Sequence, residues 1–165
     1  MLGTALFACK KGEESASGSG AKRLNHPGSE EGLKALLSAN FASSTTKAAD
    51  VVAALKPDPS DYTAVFESDI APKVEEHVNT MLQKPPAELG KSGDEVQVWG
   101  VTADDLKSES DAAKKCPGGY TRIAPKLKSG TKLYCTKVGT ISYDVFAHVN
   151  GHWVWFPKAF RALRD

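Results

Sequence analysis

Helical periodicity followed by strand alternation predicts an α+β protein, with N-terminal helices packed on a curved four- to five-stranded antiparallel sheet. Three observations carry that class. Apolar side chains recur at helical spacing from residue 29 to Pro85-Pro86, where the pattern stops. From Glu95 onward apolar residues alternate with polar ones. Between the last two alternating runs stands Asn150-Gly151, a strong hairpin signal because both residues tolerate positive φ.

The elements follow in order. Ser29 precedes Glu30 and Glu31, a capped and acidic first turn, and Leu33, Leu36, Leu37 and Phe41 share one stripe. Thr46 can cap a second helix carrying Ala48, Val51, Val52 and Leu55. Asp58-Pro59 is a cap followed by proline at the first helical position, opening a helix through Tyr62, Val65 and Phe66. Ser68 or Asp69 opens a fourth helix, with Ile70, Val74, Val78, Met81 and Leu82 on one side and Pro72 tolerated in its first turn. Glu95–Thr102 is expected as a strand with Gly100 as a bulge, and residues 103–115 as a short helix or loop. Tyr120–Leu127 and Thr131–Val138 are expected as strands around Ser129-Gly130, then Ile141–Val149 and His152–Phe156 as the closing hairpin. Phe160–Leu163 adds a helical turn.

The chain has 165 residues, enough for one domain plus a tail. With 41% apolar and 25% charged residues it can bury a core. Lys and Arg number 21 against 20 Asp and Glu, a net charge of +1. That balance supplies no broad field for nucleic acid. No run of eighteen apolar residues occurs.

Residues Met1–Ala8 are uncharged, and Cys9 follows, then Lys10 and Lys11. Leu6-Phe7-Ala8-Cys9 resembles the lipobox of bacterial lipoproteins; Leu6 and Ala8 match, while Phe7 is bulkier than the family's usual residue there. The resemblance implies a signal-peptide remnant over 1–8, removed before Cys9, and lipidation of that thiol. A start upstream of Met1 would supply the basic segment such signals carry. It also implies the cell envelope, and Lys10 after Cys9 points to the periplasmic side of the outer membrane. Residues 9–28 hold one Leu and no aromatic or β-branched residue, so they are expected as a flexible tether. The α+β domain is then residues 29–165.

The two-residue loop sets the closing hairpin's register: His148 opposite Trp153, Ala147 opposite Val154, Phe146 opposite Trp155. Alternation then gives one face Ile141, Tyr143, Val145, Ala147, Val149, Val154 and Phe156. The other carries Ser142, Asp144, Phe146, His148, Trp153 and Trp155. Aromatic area with a few polar groups is how a small-molecule pocket is built, so Phe146, His148, Trp153, Trp155 and Asp144 are the candidate pocket. Packing accounts for the same residues without a ligand. Asp144 and His148 would lie roughly 13 Å apart along the strand, too far to bond each other but able to flank a substrate. No motif assigns a catalytic residue. His148 and His152 fall on opposite faces and no metal-ligand spacing occurs, so no metal is expected. Gly118-Gly119 lacks the Gly-Lys-Ser/Thr of a phosphate loop, and no cofactor is expected.

The element order and aromatic closing hairpin resemble the nuclear transport factor 2-like and cystatin-like cone folds. That resemblance implies helices over a curved sheet around a pocket; such domains include binding modules and isomerase- or dehydratase-type enzymes. An SH3-like barrel with a helical prefix is the second architecture. With Cys9 lipidated, Cys116 and Cys135 remain as a pair. An oxidising compartment invites a disulfide. A strand pairing about Ser129-Gly130 instead sets Cys135 opposite Ala124, leaving two separately buried thiols as the other outcome. The leading expectation is a lipid-anchored, non-enzymatic domain that binds a small ligand or an envelope protein. The alternatives are a cone-type enzyme using Asp144 or His148, and a structural or interaction module with a filled core.

Overall fold

A computed structural model describes residues 22–163. Cys9 and the rest of the lipobox-like segment lie outside the described residues. Among the described residues four helices come first: α1 (Glu30–Asn40), α2 (Ala48–Ala54), α3 (Pro59–Val65) and α4 (Ala71–Leu82). Then follow β1 (Val96–Thr102), α5 (Ala103–Lys107), α6 (Tyr120–Ile123), β2 (Lys132–Val138), β3 (Ile141–Val149) and β4 (His152–Trp155). The sheet is antiparallel and open, in the order β1-β2-β3-β4. The class is α+β, and the strands do not close into a barrel.

Local chemistry explains the starts. The Gly32 N–H donates to the Ser29 side chain at 3.1 Å, capping α1. At α3 the Asp58 N–H donates to the Asp61 carboxylate at 2.7 Å, with Pro59 in the first turn. Two expected starts move. α2 begins after Lys47 without a side-chain cap, so Thr46 does not cap it. α4 begins at Ala71, because residues 67–70 form a tight turn in which the Ile70 N–H meets the Glu67 carbonyl.

The larger correction lies at 120–127, which is helical: α6 continues into a 3-10 turn at Ala124–Lys126. Tyr120, Ile123, Ala124 and Leu127 are spaced three, four and seven apart, a helical stripe, and all four are buried. The sheet therefore has four strands. Gly100 makes no bulge; β1 pairs with β2 in unbroken register. The bulge is in β3. Tyr134 faces Phe146 and Thr136 faces Tyr143, so Cys135 opposes both Asp144 and Val145.

The sheet is buried on both faces. Leu133, Cys135, Val145, Ala147, Val154 and Phe156 pack with α3, α4, α5 and α6. Tyr134, Val138, Tyr143, Phe146, Trp153 and Trp155 pack with α1 and α2. Cys116 and Cys135 are joined by a disulfide, their Cα atoms 5.5 Å apart. The hairpin geometry that kept them apart does not exist, since 120–127 is no strand. The bond ties the loop after α5 to the second strand.

The tether boundary also moves. Residues 22–28 lie on the domain: Leu24 packs against the aromatic core, and Arg23 pairs with Asp58 and donates to the carbonyls of Ala54 and Lys56. The Pro27 carbonyl accepts the Trp153 indole N–H at 3.0 Å, and the Gly28 carbonyl accepts the Tyr134 hydroxyl at 3.4 Å. A strap with few apolar side chains docks through its backbone carbonyls.

Candidate functional site

The Asn150-Gly151 turn has positive φ at both residues and sets the expected register, with Phe146 opposite Trp155 and His148 opposite Trp153. Phe146, Trp153 and Trp155 therefore share a face, opposite Val154 and Phe156. That face is packed. Phe146 stacks on Trp155 with ring centres 5.8 Å apart and planes at 12°. Phe41, from the end of α1, meets Tyr143, Phe146 and Trp155 edge-on. Phe146 is 0% and Trp153 1% exposed.

Beyond the bulge the expected faces exchange. Tyr143 joins the aromatic side, where its hydroxyl donates to the Leu89 carbonyl. Asp144 does not share the face of Phe146 and His148. Its carboxylate accepts the Tyr120 hydroxyl at 2.9 Å, and Tyr120 belongs to the opposite core. The extra residue in β3 is the cause, since alternation restarts one position late. Burial pushes the Asp144 carboxyl up from its ordinary value, against the Tyr120 bond and the charge of Lys158. Burial, then the Asp144 charge, pushes the Tyr120 hydroxyl well up.

His148 lies half-buried on the aromatic side, its ring 5.1 Å from that of Trp153. Desolvation, then the charge of His152, holds it below the ordinary imidazole value. Asp144 and His148 thus sit in different environments on opposite faces and do not converge on one space.

One side of the aromatic core opens. A cleft of about 240 Å³ lies between Val52 of α2, Leu82 at the end of α4, Pro85, Tyr143, Trp155 and Pro157. Lys84, Lys158, Ser142 and Asp144 bring polar groups to its lining. The Trp155 indole N–H is already satisfied by the Asp144 carbonyl at 3.1 Å, so Trp155 offers the cleft apolar surface. A wider depression of about 670 Å³ between residues 40–49 and 85–92 is lined mostly by loop residues with small or charged side chains. The smaller cleft is the better candidate, because aromatic surface and orienting polar groups meet there.

A polar cluster on the other side went unnoticed in the sequence. Asp61, 0% exposed, accepts from Asn150 Nδ2 at 2.7 Å and lies 3.1 Å from His152 Nε2. Ligand-type atoms of Asp58, Asp61 and His152 lie within 4.8 Å of one another. The donor set is already used: Asp61 takes the Asp58 N–H, Asn150 and His152, and Arg23 takes Asp58. The guanidinium occupies the cation's role, and the cluster locks the strap and the hairpin turn to α3. Asp58 and Asp61 at cap and third helical position could have signalled half of this network; His152, 91 residues away, could not.

Comparison with protein families, with characterised proteins and with solved structures finds no match to this chain.

Proposed function

We propose that this chain is a lipid-anchored protein of the bacterial envelope, on the periplasmic side of the outer membrane, whose domain binds a small ligand without transforming it. The observation that carries this reading is the Cys116–Cys135 disulfide. Such bonds persist in oxidising compartments outside the cytoplasm, as export behind the lipobox-like Leu6-Phe7-Ala8-Cys9 requires. The ligand site is the Trp155 cleft. The cone-type enzyme loses its motivating pair, because Asp144 and His148 face opposite ways. A structural or interaction module is the second reading, favoured by the filled aromatic face.

The test is expression of the gene with its upstream codons in a bacterial host fed an alkyne-tagged palmitate analogue. The wild type should take up the tag and fractionate with membranes, and Cys9→Ser should lose both. Soluble cytoplasmic protein of unmodified mass, with both remaining cysteines free, would overturn the proposal.

A further inference from the structure

The Trp155 cleft carries charges that its apolar walls do not need for packing. Lys84 stands exposed just beyond α4, Lys158 stands half-buried just after β4, and both line the cleft. Asp144 is the one acid in the lining, and its Oδ2 is taken by the Tyr120 hydroxyl. Ser142, exposed, adds a hydroxyl donor at the mouth.

Lys158 is unusual in a second way. Its φ is +50°, in the left-handed region that a lysine side chain disfavours and glycine occupies freely. Among the described residues the other non-glycine cases are Asn150, in the hairpin turn, and Glu109, just after α5. Asparagine tolerates that conformation; lysine has no such dispensation. Only Lys158 of the three lines this cleft. Backbone strain retained at a concave surface points to a use for the side chain that is strained.

We infer that the cleft takes a small aromatic carboxylate, its ring against Trp155, Leu82 and Pro157 and its carboxylate between Lys84 and Lys158. This rests on the ligand-binding reading above and names the ligand class. The cleft's volume suits a compact ring, below the usual size of drug-like sites. Anion selectivity comes from two cations against one acid, Asp144, whose charge already acts on Lys158 and leaves a net positive lining; affinity comes from the apolar floor.

Three probes with one skeleton and different charge test it: cinnamate, cinnamamide and cinnamylamine. Each is titrated at neutral pH into full-length ¹⁵N-labelled protein. The readout is the Trp155 indole N–H signal, identified by its loss in Trp155→Phe. Cinnamate should shift it saturably and bind roughly tenfold more tightly than the amide. Cinnamylamine should bind most weakly. Lys158→Gly should keep or raise the melting temperature, since glycine relaxes the backbone, while cinnamate affinity falls toward that of the amide. Lys84→Glu should weaken cinnamate without weakening the amide. Equal binding of all three probes, or tightest binding of the amine, overturns the carboxylate class while leaving the cleft as a binding site. No shift with any probe overturns both.

Discussion

Gly32→Ala should destabilise this protein, although alanine is the better helix former. Gly32 lies in the first turn of α1, directly under the strap. A Cβ there would stand 2.0 Å from the Pro27 carbonyl oxygen and 2.8 Å from its carbon, both backbone atoms. Reaching van der Waals distance requires the strap to lift by more than about 1 Å. The same oxygen accepts the Trp153 indole N–H at 3.0 Å. Lifting it strands a buried donor, at a cost of about 1–3 kcal/mol. Relief of glycine's chain entropy returns up to about 1 kcal/mol. With a cost near the middle of that range, about 2 kcal/mol, the net loss is about 1 kcal/mol or more, at least roughly 2–4 °C in melting temperature for a chain of this size.

The sign should reverse when the strap is absent. In a chain lacking residues 1–28, Gly32→Ala meets no Pro27 and should stabilise by up to about 1 kcal/mol. Urea unfolding followed by far-ultraviolet circular dichroism, on all four proteins of the cycle, measures the coupling. A stabilising or neutral Gly32→Ala in the full chain would refute the docked strap. So would the same loss in the truncated chain, which would place the clash elsewhere.

Two further outcomes follow from the buried polar groups and the disulfide. Asp144 has its folded-state pKa raised by burial, so its contribution is fully present below the unfolded value of about 3.9 and is lost as pH rises through the folded value. Asp144→Asn can still accept from Tyr120 and carries no charge, so its melting temperature relative to wild type should climb as pH rises from about 4 and then level off; a flat difference across pH would count against a desolvated carboxylate. Reducing Cys116–Cys135 releases a cross-link spanning 19 residues and should cost about 3 kcal/mol, read as a drop in urea midpoint with dithiothreitol that the Cys116→Ala/Cys135→Ala variant no longer shows.

The legible parts of the sequence were those governed by local rules. A two-residue turn set the β3–β4 register, and Ser29 and Asp58-Pro59 marked helix starts. The misread parts need distant partners. Tyr120, Thr121 and Ile123 suit a strand by side-chain preference, yet the buried residues Tyr120, Ile123, Ala124 and Leu127 are spaced as on a helix, and period outweighed propensity. The strap's few apolar side chains suggested a free tether. Its docking runs through Arg23, Leu24 and the Pro27 and Gly28 carbonyls; the hydrogen-bond partners lie 31 to 126 residues away and are not displayed by composition. Four of the five candidate pocket residues, Phe146, His148, Trp153 and Trp155, do share a face, though only Trp155 and Asp144 line the cleft; Asp144 left that face at a bulge that strict alternation cannot contain.

That bulge is what turns a filled core into a core with an opening. Without it, Tyr143 would lie on the α3–α4 side and Asp144 would thrust a carboxylate at Phe41 and Trp155. With it, Tyr143 completes the aromatic packing around Phe41, and the Asp144 carbonyl turns to the Trp155 indole while its side chain crosses to Tyr120. The aromatic side keeps its polar groups satisfied by backbone carbonyls: Leu89 for Tyr143, Asp144 for Trp155, Pro27 for Trp153. Such a floor has little polar demand of its own. The free polar side chains of the cleft are Lys84, Lys158 and Ser142, which would orient the proposed ligand. One inserted residue in β3 thus leaves the floor of the cleft to Tyr143 and Trp155, while the charges beside it come from other segments, Lys84 after α4 and Lys158 after β4.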